Sequence, residues 1–208
     1  MNFGLIGKLP TDTIQFFKEE ILKRRTPEPY QWVHFDTYLN DKFMEIFDNE
    51  ELKVLYDENK FRFIQKAAVS EPGYGWRIHK DGIADKGAMN IALSCNPTDW
   101  VRWYDDDFIN LYCLMNNIPI KLKLPKTIED ISSRNTDIFN YDDVPFTEER
   151  QQEVGDVYVI DTNTWHSFKC VGAETRIILQ TKFVGHPSCE ELFKSLSLKS
   201  FNNLIKNE

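Results

Sequence analysis

The residues best suited to chemistry are His79 and Asp81, in the run His79-Lys80-Asp81, and His166 far downstream. On a β-strand, residues i and i+2 project from one face, so His79 and Asp81 could both reach one ion at the end of a strand. His166 lies in TWHSFKC, a strand-like segment preceded by GDVYVID. Two imidazoles and one carboxylate on one side of a metal leave three positions open, an arrangement suited to non-haem Fe(II) and oxygen chemistry. The H-x-D pattern is weak by itself, and His34-Phe35-Asp36 satisfies it too. Context separates the two. His34 stands between a proline-containing turn and a helical segment, and reads as a partly buried histidine beside Trp32 and Phe35. His79 ends a strand, and Gly82 and a second strand follow Asp81. The fourth histidine, His186, sits beside Pro187 and reads as part of a surface junction.

Arg176 follows His166 by ten positions (176 − 166), across a turn at Gly172. That turn is expected to return the chain antiparallel, which would put Arg176 in the strand neighbouring His166. A buried arginine needs a carboxylate, which its guanidinium grips with a two-pronged fork. The partner could be an anionic ligand or a core Asp or Glu in a structural ion pair.

The elements that would position these groups are mostly strands. FRFIQKAAV, YGWRIHKDG, AMNIALSC, WVRWYD, IPIKLKL, GDVYVID, TWHSFKCV and TRIILQTKFV are short, rich in β-branched and aromatic residues, and separated by Gly, Pro, Asn or Asp. Many short strands without intervening helices imply a sandwich or barrel rather than alternating β and α units. The first sixty residues read as helical. Thr11 and Asp12 are candidate caps for a helix carrying Ile14, Phe17, Ile21 and Leu22, ended by Pro27 and Pro29. A second helix is expected from about Asn40 to Tyr56, with Phe43, Ile46 and Phe47 on one face. Lys126 to Gln152 is polar and acidic, and reads as a long loop or lid with little regular structure. Ser188-Cys-Glu-Glu191 is a capping-box sequence, opening a C-terminal helix through Leu192, Phe193, Leu196 and Leu204.

Composition narrows the class. With 208 residues, the chain suits a single domain: a helical extension over 1–60, a β core over 61–185 and a helix over 186–208. A formal charge of −8 repels a phosphate backbone, which makes a nucleic-acid partner unlikely on charge alone. No apolar run approaches the ~18 residues of a membrane span, and MNFGLIGKLP lacks the features of a signal peptide. Cys95, Cys113, Cys170 and Cys189 are far apart, with no C-x-x-C pair, and fit buried reduced thiols in a cytoplasmic protein. Asn96-Pro97-Thr98 carries the proline that disqualifies it as a glycosylation site.

The order H-x-D, then a G-D strand, then His, then Arg ten residues on resembles the Fe(II)/2-oxoglutarate-dependent oxygenase superfamily over about Phe61 to Val184. Within it, HKDG followed by MNIALSCNP is loosely similar to the aspartyl/asparaginyl β-hydroxylase-like branch. The resemblance implies a double-stranded β-helix of the jelly-roll, cupin-like kind with flanking helices. It implies Fe(II) held by His79, Asp81 and His166, and 2-oxoglutarate held by Arg176, with O2 as the other cosubstrate. The implied reaction is hydroxylation of a peptide side chain or a small amino-acid-like molecule, releasing succinate and CO2. One departure stands out: many members carry Ser or Thr two residues after the arginine, where this chain has Ile178. Alternation adds lining candidates. Arg77 shares a face with His79 and Asp81 by period two and could point to substrate. Asn90, Ala92 and Ser94 form the small, polar face of their strand, so Asn90 and Tyr104 are candidate hydrogen-bonding partners of the cosubstrate, with solvent-facing positions as the alternative. Two other readings stay open: a cupin-like metalloprotein that uses no 2-oxoglutarate, and a non-catalytic binding module of the same architecture.

Overall fold

The computed structural model describes residues 1–46, 63–81, 86–117, 143–183 and 187–197. Along the chain these are β1 (Phe3–Lys8), α1 (Thr11–Arg24), β2 (Tyr30–His34), α2 (Thr37–Ile46), β3 (Phe63–Ser70), β4 (Gly75–His79) and β5 (Gly87–Ser94). Then follow β6 (Trp100–Tyr104), α3 (Asp106–Met115), β7 (Glu148–Gln151), β8 (Asp156–Asp161), β9 (Trp165–Lys169), β10 (Arg176–Phe183) and α4 (Cys189–Ser197).

The strands form two antiparallel sheets, one ordered β1-β8-β5-β10-β3-β2 and the other β4-β9-β6-β7. From β3 onward successive strands alternate between the sheets, with only β6 and β7 adjacent in sequence and paired in the same one. That alternation winds the chain into a double-stranded β-helix, as the family resemblance implied. Period two then sorts the side chains. One face of the six-stranded sheet (Ala67, Met89, Ile91, Val157, Ile177, Leu179) packs on Phe17 and Ile21 of α1, Phe43 of α2 and Leu192 of α4. The opposite face meets the four-stranded sheet through Ala88, Ala92, Tyr158 and Ile178 against Val101 and Trp103. The far side of the smaller sheet is covered by α3, where Ile78 and Tyr104 meet Ile109 and Cys113.

Several expectations change. The first sixty residues are not wholly helical, because β1 pairs with β8 and β2 with β3 as strands of the larger sheet. Pro10, extended at φ −60°, stands at the start of α1 without a side-chain cap, so neither Thr11 nor Asp12 caps it. A helix, α3, does intervene among the strands; Asp105 caps it by accepting the Asp107 N–H, and Ile109 and Cys113 bury one face. Part of the expected acidic loop is β7, paired with β6. The Gly172 turn does not make a hairpin: β9 and β10 lie in opposite sheets. The capping box is present, since Ser188 Oγ accepts the Glu191 N–H (3.2 Å) while Glu191 accepts from Ser188 N (2.7 Å). IPIKLKL, the loop over 126–142, His186, the second helix beyond 46 and Leu204 lie outside the described residues. Among the described residues no helix is long and apolar enough to cross a membrane.

Candidate metal centre

His79 closes β4 directly opposite His166 in β9, and their rings lie 4.3 Å apart between centroids. Simple alternation would put Trp76 and His79 on opposite faces. A register shift between them instead turns both inward, with the ring of Trp76 edge-on to His79 at 6.1 Å. The chain then leaves β4, and the Asp81 N–H donates to Thr162 O (2.8 Å), which brings the carboxylate beside both imidazoles. One ligand atom from each of His79, Asp81 and His166 lies within 4.8 Å of the others, and Asp81 Oδ1 is 3.3 Å from His79 Nε2.

The supporting bonds choose the tautomer. His79 Nδ1 sits 2.7 Å from Arg77 O and His166 Nδ1 2.9 Å from Thr164 O. A carbonyl accepts only, so each Nδ1 carries a proton, which makes Nε2 the atom each ring would offer a metal. Burial, reinforced by the neighbouring His79, pushes His166 down to about 4, so it is neutral near pH 7. Burial alone would raise the Asp81 carboxyl. The bond to His79 and the charge of Lys182, whose Nζ is 2.8 Å from Oδ2, outweigh it and hold that carboxyl well below its usual range. Two imidazoles and one carboxylate are a donor set that suits Fe(II) and leaves open positions. The short β8–β9 loop serves both sides of the centre, Thr162 holding Asp81 and Thr164 holding His166. Asp161 shapes that loop by accepting from Asn163 N (2.7 Å), Thr164 N (3.1 Å) and Thr164 Oγ1 (3.0 Å).

Arg176 opens β10 and lies across the cavity from β9, although not in the neighbouring strand as expected. It is 3% exposed, and its guanidinium sits 4.7 Å from the ring of Phe168, two residues past His166. Its Nη2 donates to the Gln152 amide oxygen (3.0 Å), its Nε has no partner, and among the described residues no carboxylate bonds it. A structural ion pair is therefore not the reason for its burial. Asn90 pairs in register with Tyr158 on one side and Gln180 on the other, which turns all three toward the smaller sheet. Asn90 Oδ1, Gln180 Oε1, Gln152 Nε2 and the Tyr158 hydroxyl are buried without hydrogen-bond partners, although the Asn90 amide approaches that hydroxyl. The guanidinium, with the unpartnered Gln152 Nε2 and Tyr158 hydroxyl near it, forms a cradle of donors for an anionic molecule.

Two lining candidates fare differently. Tyr104 points away from the cavity: Val101 and Trp103 take the inward positions of β6, and the Tyr104 hydroxyl bonds Ser167 Oγ (2.7 Å) beneath α3. The Arg77 side chain is exposed, because the β4 register shift breaks the period-two relation to His79; its carbonyl, not its guanidinium, serves the centre. His34 is exposed rather than partly buried, and Asp36 pairs with Arg24 (3.0 Å). Sequence reading missed Lys182, Gln180, Tyr158 and the Asp161 loop. Their signal was parity, since Gln180 and Lys182 share the face of Arg176, and Tyr158 is the odd member of an apolar alternation.

No family model matches the chain, and no curated protein matches its sequence. Solved structures do resemble its fold. A viral collagen prolyl hydroxylase from Paramecium bursaria Chlorella virus-1, in complex with 2-oxoglutarate, is 13% identical with a TM-score of 0.53, over 88% of this chain and 95% of its own. A prolyl-4-hydroxylase from Pseudomonas putida gives 14%, 0.52, 88% and 91%. HygX from Streptomyces hygroscopicus with iron bound gives 10%, 0.53, 88% and 81%. At these identities the likeness is one of fold.

Proposed function

We propose that this protein is an Fe(II)- and 2-oxoglutarate-dependent oxygenase that hydroxylates a peptide side chain or a small amino-acid-like molecule. The observation that carries the reading is the pairing, between the two sheets and on either side of β9, of the His79–Asp81–His166 cluster with a buried arginine that no carboxylate among the described residues neutralises. His79, Asp81 and His166 would hold Fe(II), and Arg176 would hold the distal carboxylate of 2-oxoglutarate. Bound there, iron with 2-oxoglutarate and O2 would supply the oxidation of a substrate C–H to C–OH, coupled to cleavage of the keto acid into succinate and CO2. The likeness to structures that contain iron or 2-oxoglutarate in the same fold supports this choice of cofactors.

The chain's own groups bind, orient and shield. Arg176 Nε, Gln152 Nε2 and the Tyr158 hydroxyl provide donors that a carboxylate would satisfy. The carbonyls of Arg77 and Thr164 hold the two imidazoles in the ligating tautomer. Trp76, Tyr30 and Phe168 pack together beside His79 and limit the access of water, with Tyr30 arriving from the N-terminal strand β2. A cupin-like protein working without 2-oxoglutarate would have no use for the Arg176 cradle. The four cysteines are free and buried, which suits a reducing cytoplasm, and the −8 charge disfavours a nucleic-acid substrate.

Anaerobically purified protein given Fe(II), 2-oxoglutarate and O2 should release succinate. Release unaffected by His166→Ala or by Arg176→Ala would overturn the reading.

A further inference from the structure

The carboxylate of Asp81 uses its two oxygens differently. Oδ1 faces His79 Nε2 at 3.3 Å, toward the cluster, while Oδ2 accepts from Lys182 Nζ at 2.8 Å. Lys182 lies on the inward face of β10, three alternations beyond Arg176, in a strand flanked on both sides by β3 and β5. Its side chain is 12% exposed. A lysine so enclosed is retained only where its charge meets an acceptor, and a purely packing role would be met better by Leu or Met. The Asp81 main chain is fixed as well, through its N–H to Thr162 O. The carboxylate is thus held from two sides and has little freedom to rotate.

We propose that Lys182 is a positioning residue that restricts Asp81 to one-oxygen ligation and so keeps the remaining metal positions open. The inference rests on the reading of His79, Asp81 and His166 as metal ligands. Carboxylates bind cations through one oxygen or through both. An ammonium on Oδ2 occupies the lone pairs that a two-oxygen grip would need. Binding through Oδ1 alone leaves three positions beside the two histidines, and a keto acid can chelate through two of them. Binding through both oxygens removes one position and crowds the chelate. Lys182 therefore couples the two ends of β10: Arg176 fixes the far end of the anionic ligand, and Lys182 keeps room for its near end.

Cobalt(II) is a suitable probe, because its visible spectrum reports coordination geometry without turnover. The full-length Lys182→Met protein should still take up Co(II), but with a changed visible spectrum. Binding of 2-oxoglutarate to the Co(II)-loaded variant, measured calorimetrically, should weaken by about tenfold or more, the range found when groups supporting metal ligands are removed. Lys182→Arg, which keeps a cationic donor, should preserve the wild-type spectrum. If the methionine variant does not fold, Lys182→Gln reads the same two quantities. A wild-type spectrum and unchanged 2-oxoglutarate affinity in the uncharged variant would overturn the inference while leaving the metal centre intact. Tighter Co(II) binding with an unchanged spectrum would also overturn it, making Lys182 a competitor of the metal rather than its organiser. Failure of the wild-type chain to bind Co(II) at all would overturn the metal reading together with the inference.

Discussion

The two ends of the cavity are finished to different degrees. At the His79–Asp81–His166 end each group has its supporting contact: two carbonyls hold the imidazoles, and Lys182 and Thr162 hold the aspartate. At the Arg176 end, Nε of the arginine, Gln152 Nε2 and the Tyr158 hydroxyl are buried without partners. Leaving a buried polar group unpaired costs about 1–3 kcal/mol, so a fold keeps several together where a ligand or ordered water completes them. The first end is organised in advance for a compact cation, whose ligands must already converge. The second is organised for a molecule that brings its own acceptors.

The largest effect should fall on the finished end. His166→Ala removes one of only two nitrogen donors, and uptake of Fe(II) or Ni(II) should drop below detection by equilibrium dialysis. Uptake at the wild-type level would mean that the cluster is a structural hydrogen-bond site and that the two ends are not different in kind. A smaller and more selective effect belongs to Arg176→Met. Hydrogen bonds to charged groups contribute about 1.5–3 kcal/mol, so 2-oxoglutarate should bind on the order of a hundredfold more weakly while metal uptake is unchanged. The ligand-free variant should unfold at the same temperature as wild type or higher, because an apolar side chain replaces a buried cation that no carboxylate among the described residues neutralises. A marked loss of stability without ligand would show that the guanidinium already serves the fold, and would erase the contrast.

Most of the finished end was legible in the sequence, because metal ligands come in recognisable types at short spacing. His79, Asp81 and His166 are brought together, although by a register shift and a backbone bond to Thr162 rather than by the alternation that first paired them. Arg176 was legible by its offset from His166, but its sheet was not. A turn at Gly172 makes a hairpin or crosses between sheets according to where β10 finds neighbours, and those neighbours, β3 and β5, are far away in the chain. Tyr104 shows the same limit: on a strand buried on both faces, polarity does not say which face is the cavity. Lys182 was hidden for a related reason. A lysine in TRIILQTKF reads as an edge residue until its partner, 101 positions earlier, is seen.

The smallest expected effect tests how tightly the unfinished end is closed. Cys95 lies on the inner face near Arg176, its thiol bonded to Gln152 O (3.3 Å), and Cys170 is bonded to Glu174 O (3.4 Å). Burial pushes both thiols up to about 11. Each is neutral at pH 8, so both should react with thiol reagents far more slowly than an unfolded control. The sign of the accompanying pH effect is fixed by linkage. An unfolded thiol ionises near its ordinary value of about 8.5, whereas these stay protonated to about 11. Above pH ~9 the folded state therefore binds more protons than the unfolded one, and stability falls as pH rises toward 11. The urea midpoint should be level up to about pH 8.5 and then decline, less steeply in Cys170→Ala. Rapid labelling of Cys95 in the ligand-free protein, suppressed by 2-oxoglutarate, would sharpen the comparison differently. It would mean that the Arg176 end is open as well as unsatisfied, and that the ligand closes what the metal end already holds shut.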